Sequence, residues 1–503
     1  MRPARCVLWT LAALLFPLPA LAQGYRVRVD TRWQSVAYRG VTLDSIPVSD
    51  TVSTSAGGPE SPDGFAVRCQ PGAAYCTFFR AGAVRRGGPV TTTVEASLWG
   101  FGVRGLSMRA AGRAGVDLGN ADVWPGTKPA VQLLEGYAEY ATRRITGRLG
   151  RQVVASRLGT MGFDGPGLVL RDAAHGIELQ GYGGWGLARG TALPITSPAL
   201  NPLDEFQPRA RQLIVGGDGG WTSALADARV EYQREVDPRA KKFVSERLGL
   251  EGALRPRVDV RISGGADYDL AAGWWGSAEA TVAYATPSVR GTVGARRYRP
   301  HFDLWTIWGA FSPVPYRSLH ASLAVAAGAR WEVRGRYERY RYDEAEAETP
   351  LFNAKRDGWR AELGMTANPI PAWTLDAGYQ REFGPGASVA GTAATITYQP
   401  SRRFRAMVLG SSFDRPLEFR YNDAGVRTVG LDAQFTSSER LRVGLTAYHH
   451  REAHHRPDAA AFDWNQWRVS ARVVWTFGDA ADLRGLPPSI QMLPGGRAGR
   501  TPQ

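Results

Sequence analysis

The residues from Trp464 to Phe477 constrain this chain more than any other stretch. At period two, Asn465, Trp467, Val469, Ala471, Val473, Trp475 and Phe477 share one face, and Gln466, Arg468, Ser470, Arg472 and Thr476 share the other. A strand with an apolar, aromatic-flanked face and an arginine-bearing face suits a wall with lipid on one side and water on the other. The pattern recurs. Tyr25, Val27, Val29, Thr31 and Trp33 alternate with Arg26, Arg28, Asp30, Arg32 and Gln34. Trp331, Val333 and Tyr337 stand opposite Glu332, Arg334, Arg336 and Glu338. Val258, Val260 and Ile262 oppose Arg257, Asp259, Arg261 and Ser263, and Leu441, Val443 and Leu445 oppose Arg440, Arg442 and Thr446. A soluble β-sandwich also alternates, but it does not usually carry this much charge and so many aromatics through so many strands.

Export is written at the N-terminus. Arg2 and Arg5 precede an apolar stretch from Val7 to Leu21, interrupted by Pro17 and Pro19 and ending in Ala20-Leu21-Ala22. This reads as a signal peptide over residues 1–22, with the mature chain starting at Gln23. Beyond it no apolar run approaches the ~18 residues of a membrane helix. A mean hydropathy of −0.27 suits a barrel, because only alternate residues face lipid.

The chain carries 61 Lys and Arg against 47 Asp and Glu, a net charge of +14. Removing Arg2 and Arg5 leaves 61 − 2 = 59 basic residues and a net charge of 59 − 47 = +12. Only Lys128, Lys241, Lys242 and Lys355 are lysine. A GC-rich genome accounts for such a bias without function; the functional reading is anion recognition, since guanidinium pairs bidentately with carboxylate and phosphate. Nucleic acid is not an expected partner at a cell surface.

Cys6 leaves with the signal. Cys69 and Cys76 flank a Pro-Gly turn, and in an oxidising compartment so close a pair reads as a disulfide. No Cys-x-x-Cys-His is present, so no covalent haem is expected, and no other cofactor either.

Tight connections are expected near Arg143-Arg144, Ala173-Ala174, Gly219-Gly220, Arg255-Pro256, Thr286-Pro287, Gln399-Pro400 and Ser437-Ser438, on the periplasmic side. Long polar connections, 40–90, 119–129, 189–208, 343–355, 414–424 and 452–463, suit outer loops. Alternating the two predicts strands 25–39, 91–103, 107–118, 130–142, 146–157, 164–171, 176–188, 209–218, 221–235, 243–254 and 257–271. The series continues with 275–285, 288–299, 317–327, 330–342, 356–367, 372–383, 388–399, 403–413, 425–436, 440–451 and 464–477. The fold class is all-β: a transmembrane antiparallel up-and-down barrel of about 22 strands, within 18–24. Its domain occupies 23–477, with the long outer loop 40–90, and a Pro-, Gly- and Arg-rich tail over 478–503 is expected to be a disordered periplasmic extension.

Other motifs are weaker. His449, His450, His454 and His455 offer imidazoles to a metal, but with no fixed scaffold and no acid-ligand spacing a solvated outer loop is the preferred reading, so no metal site is assigned. Asp164-Gly-Pro-Gly167 lacks the lysine and helix of a phosphate-binding loop and reads as a turn. No catalytic grouping stands out, and no enzyme is expected.

Arg148-Leu-Gly-Arg-Gln152, Phe163-Asp-Gly165 and Gly176-Ile-Glu-Leu-Gln-Gly-Tyr182 together resemble the "GRQ … FDG" region of alginate-export-like porins over roughly 40 residues. The resemblance implies a passive, arginine-lined channel for anionic solutes.

The leading expectation is an outer-membrane diffusion channel for small, preferentially anionic solutes. Its lumen and selectivity residues are Arg26, Arg28, Arg32, Arg257, Arg261, Arg334, Arg336, Arg440, Arg442, Arg468 and Arg472. Each is alternatively a structural partner of a neighbouring acid such as Asp30, Asp259 or Glu332. The surroundings are outer-membrane lipid and lipopolysaccharide. With no N-terminal plug, a barrel this wide needs loop 40–90 folded inward or a partner in its lumen. The alternative function is therefore a sheath around another protein, such as a multihaem cytochrome in an electron conduit.

Overall fold

The computed structural model describes Ala22 and residues 24–53, 59–62, 67–119, 131–187, 212–237, 242–299, 315–343, 356–384, 387–414, 424–454 and 463–478. Residues 1–21 of the expected signal peptide, residues 479–503 of the expected tail, Lys128 and His455 lie outside these residues.

The chain opens with the long strand β1 (Gly24–Pro47), a 3-10 turn (Val48–Asp50), the short β2 (Val52–Ser53), β3 (Pro59–Glu60) and β4 (Arg68–Cys69), and then β5 (Tyr75–Gly87). Next come β6 (Pro89–Trp99), β7 (Leu106–Asp117), β8 (Val131–Ala141), β9 (Ile145–Ser156), β10 (Gly159–Asp172), β11 (Ile177–Gly186) and β12 (Leu213–Thr222). β13 (Ala226–Asp237), β14 (Lys242–Arg257), β15 (Val260–Asp269), β16 (Trp274–Ala285), β17 (Val289–Tyr298), β18 (Tyr316–Ala327) and β19 (Trp331–Tyr342) follow. The last are β20 (Asp357–Ala367), β21 (Trp373–Gly384), β22 (Ala387–Ser401), β23 (Phe404–Asp414), β24 (Ala424–Ser438), β25 (Leu441–His454) and β26 (Trp464–Gly478).

Among the described residues, β1 and β6 to β26 form one antiparallel ring of 22 strands, each paired with its chain neighbours. The ring closes at β1, which pairs with β6 through Arg26↔Ser97 and with β26 through Arg26↔Gly478. Among the described residues every strand of the ring pairs with a neighbour on both sides, which is what a lipid environment demands of backbone polar groups.

The register sorts the side chains as the alternation implies. Val293, Leu319, Leu363 and Val429 are each more than 60% exposed, and all lie on the outer face. Aromatics mark the two ends of that face. Trp275 and Tyr284 both point outward near opposite ends of β16. Ten residues span ~33 Å along a strand, or ~25 Å at a tilt near 40°, the height of an outer-membrane apolar band.

Several expectations need correction. Gly219-Gly220 and Asp164–Gly167 lie inside β12 and β10, not in turns. Glycine serves close strand approach there: a Cβ on Gly165 would stand 2.0 Å from the Gly183 carbonyl oxygen. Arg255-Pro256 belongs to β14, whose turn falls two residues later. Much of 40–90 is strand, because β1 runs on past the ring and pairs with β5 from Val36↔Gly87 to Pro47↔Tyr75. At the end of that ribbon Cys69 and Cys76 form a disulfide. Cys76 is fully buried with Val67 and Phe78, and Ile46 packs against them, a small core separate from the barrel.

Two outcomes follow from this wall. Val293→Arg puts a cation at mid-strand on the lipid face and is expected to cost about 2–4 kcal/mol, read as a lowered urea midpoint of the folded barrel; arginine at the inward Thr292 should assemble normally. Cys69→Ser should loosen the ribbon by about 2–3 kcal/mol without unfolding the ring, seen as proteolysis confined to 59–78. Two free thiols in the unreduced wild-type protein would contradict the bond.

Candidate functional site

One hairpin leaves the wall. β8 stops pairing with β9 at Gly136↔Arg151, and β10 stops pairing with β11 at Phe163↔Gly186, with one further bond from the Leu187 N–H to the Gly162 carbonyl. Above these points β9 and β10 pair only with each other, from Gln152↔Phe163 to Ser156↔Gly159. Gly150 sits where β9 departs, with φ +131, and a Cβ there would stand 2.3 Å from the Gly136 carbonyl oxygen. The root is clamped by Arg151, whose Nε and Nη2 reach the two Asp164 oxygens at 2.7 and 3.0 Å, and by Gln152, whose Nε2 donates to the Gly165 carbonyl at 2.8 Å. The "GRQ … FDG" residues thus form the hinge of this hairpin.

The hairpin folds into the lumen and packs on the inner wall. Val154, Met161 and Phe163 bury against Tyr182 and Ile214, with Phe163 stacked on Tyr182 at 5.3 Å. Its tip reaches β13 to β16. The Arg157 N–H donates to Glu231 at 2.8 Å, the Arg157 guanidinium pairs with Glu279 at 3.1 Å, and Arg247 donates to the Leu158 carbonyl at 2.7 Å. Leu158 lies over Gly249 and Arg157 over Gly265; a Cβ on either glycine would meet these side chains at 3.1 and 2.5 Å. The two inward glycines are the seat of the tip.

Charge around the lumen is segregated. On β8 to β16 most inward arginines meet inward acids, and Arg261 is an exception. Arg148 pairs with the buried Glu139 at 2.6 Å, Arg229 with Asp218 at 2.7 Å, and Arg255 with Asp227. Glu231, Glu235 and Asp269 there are buried. β14 and β25 lie eleven strands apart in a ring of 22, so β23 to β26 with β1 form the opposite side. That arc turns inward Arg26, Arg28, Arg32, Arg405, Arg442, Arg468 and Arg472, seven basic groups, against Asp30, Asp432 and Glu452, three acidic ones. Asp30 is shared by Arg28 at 3.2 Å and Arg472 at 2.5 Å. Arg26, Arg32, Arg405, Arg442 and Arg468 make no ion pair among the described residues.

The remaining arginines named from sequence are scattered. Arg261 faces inward on β15. Arg334 is held bidentately by Asp376 at 2.8 and 2.9 Å, and Arg336 lies 3.6 Å from Glu338. Arg440 sits in the turn before β25, and Arg257 ends β14 beside Asp259 at 3.8 Å. β25 points His449 outward against Trp467 and His450 inward against Thr428, so strand alternation separates these two imidazoles. His454 is buried between Glu452 and Asp463. Sequence reasoning missed Arg157, Leu158, Glu231, Arg247 and Glu279, which lie up to 122 residues apart. The available signal was glycine at inward positions 249 and 265 of otherwise well-patterned strands.

Comparison with known proteins gives likeness of shape alone. No protein-family description and no curated sequence matches the chain. Among solved structures, the siderophore receptor PirA from Pseudomonas aeruginosa is 14% identical, with 90% of this chain and 80% of that one covered and a TM-score of 0.44. OccK3 (OpdO) from Pseudomonas aeruginosa is 11% identical over 91% and 97%, with a TM-score of 0.38. The outer membrane protein opdK from Pseudomonas aeruginosa is 10% identical over 91% and 100%, with a TM-score of 0.40. The class is defined by the chain's own geometry. A closed 22-stranded ring with an apolar band, aromatic ends and a charged interior is an outer-membrane β-barrel.

The hairpin narrows this lumen, and its tip rests on few contacts. Glu231→Gln with Glu279→Gln removes both acids that hold Arg157. Losing the bond to the buried Glu231 costs about 1–3 kcal/mol, and losing the exposed Glu279 pair adds less, so the tip should undock more often. Larger and noisier single-channel currents in planar bilayers would show it; an unchanged current would mean that the tip is held elsewhere.

Proposed function

We propose that this barrel is an outer-membrane channel for passive diffusion of small solutes, with a preference for anions. The observation that carries the reading is the asymmetry of the lumen. The hairpin engages Glu231 and Glu279 of β13 and β16, while five arginines on the facing arc keep no acidic partner among the described residues. Solutes pass between the uncharged flank of the hairpin, where Ala155 and Thr160 are exposed, and the basic arc. Confined guanidinium groups against low-dielectric walls raise the local anion concentration, which sets selectivity without a tight binding step. A hairpin supplied by the chain itself also occupies space that a cytochrome inside a sheath would need, which weighs for the channel.

The test is the reversal potential of the purified protein in a planar bilayer under a salt gradient. The expected sign is that of anion preference, fading towards 1 M salt, where the screening length is about 3 Å. Arg442→Gln with Arg468→Gln should lower the preference without loss of folding, because neither change strands a paired acid. A preference for cations, or one unmoved by this pair, would overturn the reading.

A further inference from the structure

The outer face carries a second charged feature. On β17 to β19, Arg297, Arg317 and Arg341 are direct cross-strand neighbours, and Arg339 lies beside them across from Leu319. All four share the face of Val293, Leu319 and Tyr337, so they point away from the lumen. They stand at the strand ends opposite the short turns, just above the apolar band. Arg317 has 70% of its side chain exposed. Asp343 is only a distant partner, 3.9 Å from Arg297 and 3.6 Å from Arg317. Arg339 and Arg341 make no ion pair among the described residues, and the Arg297 Nε is buried without an acceptor. Four guanidinium groups at a lipid boundary are costly unless an anion meets them.

A trough leads away from this cluster. Ala228, Gly252, Gly264, Ala280 and Ala295 are consecutive cross-strand neighbours on the outer face of β13 to β17, and the row continues through Leu319 to Arg339. Small side chains along five adjacent strands leave a shallow apolar cavity of about 1050 Å³, whose lining includes all four arginines. The row starts near the short-turn end of β13, passes mid-strand at β15 and β16 and approaches the opposite strand ends at β19, so it descends from the arginines through the apolar band.

We propose that this surface binds one phosphorylated glycolipid of the outer leaflet, its phosphate on Arg297, Arg317, Arg339 and Arg341 and an acyl chain along the small-residue trough. Guanidinium forks suit phosphate oxygens, and a shallow groove gives a chain more contact than a flat wall does.

The test is native mass spectrometry of the folded barrel in mixed micelles, counting bound lipid with three probes: diphosphoryl lipid A, its dephosphorylated form, and phosphatidylcholine. Wild type should retain one diphosphoryl lipid A in preference to the other two. Arg317→Gln with Arg341→Gln should weaken retention about tenfold or more. Arg427→Gln with Arg451→Gln, which removes two outward arginines on β24 and β25, should leave it unchanged. Ala280→Leu should weaken retention by filling the trough, while Arg317 and Arg341 remain. Equal retention by the Arg317/Arg341 variant, equal loss in the β24–β25 variant, or equal binding of phosphatidylcholine would overturn the proposal. Displacement of the lipid by inorganic phosphate, or no effect of Ala280→Leu, would overturn the acyl-chain assignment and leave an anion site.

Discussion

Everything in this molecule depends on closing the ring between β1 and β26. In hydrocarbon an unpaired N–H or C=O has no water to turn to and costs several kcal/mol, so an open sheet of 22 strands would expose two intolerable edges. The closing ladder joins residues about 440 positions apart, Arg26 to Gly478 and Ser35 to Val469. The Arg472–Asp30 pair crosses this seam on the inside. Once it closes, the period-two pattern has one meaning throughout: one set of side chains meets lipid and the other meets the lumen.

Closure also creates the lumen, and with it the difficulty that a wide ring encloses a large volume of water. The chain meets it with its own β9–β10 hairpin. The hairpin leaves the ladder without stranding its backbone, because its two strands continue to pair with each other. Its departure needs Gly150 at the hinge, its docking needs Gly249 and Gly265 at the seat, and its hold comes from Glu231, Glu279 and Arg247. Acids that sit buried beneath the tip contribute to holding it and little to the field in the pore. The interior is therefore electrostatically one-sided although its two charge signs are similar in number. The proposed anion preference rests on this subtraction as much as on the number of unpaired arginines on the facing arc.

Most of the wall was legible in the sequence. Each of the 22 expected strands overlaps one observed strand, because lipid on one face and water on the other impose alternation that no loop reproduces. The errors cluster where glycine and proline do something other than turn the chain. Gly219-Gly220 and Asp164–Gly167 look like punctuation, yet they lie in strands where a missing Cβ allows close approach. An inward-folded loop 40–90 was one of two expected ways to fill the lumen, the other being a partner protein; its described part makes a disulfide-closed ribbon with β1, and residues 152–162 enter the lumen.

Sequence alone determined the membrane-barrel fold class, the facing of Arg26, Arg28, Arg32, Arg442, Arg468 and Arg472, and the Cys69–Cys76 pairing. These are local properties: a strand's two faces and an eight-residue loop are read within a few positions. Only the tertiary structure decided which arginines remain unpaired. Arg334 and Arg442 have the same kind of neighbourhood in the chain, but the register brings Asp376 to the first and no acid to the second. It alone also decided that Arg157 meets Glu279, and that Arg297, Arg317 and Arg341 line up on the outside. Those juxtapositions are set by strand register and ring closure, which sum small offsets over the whole circumference, and no local pattern carries that sum.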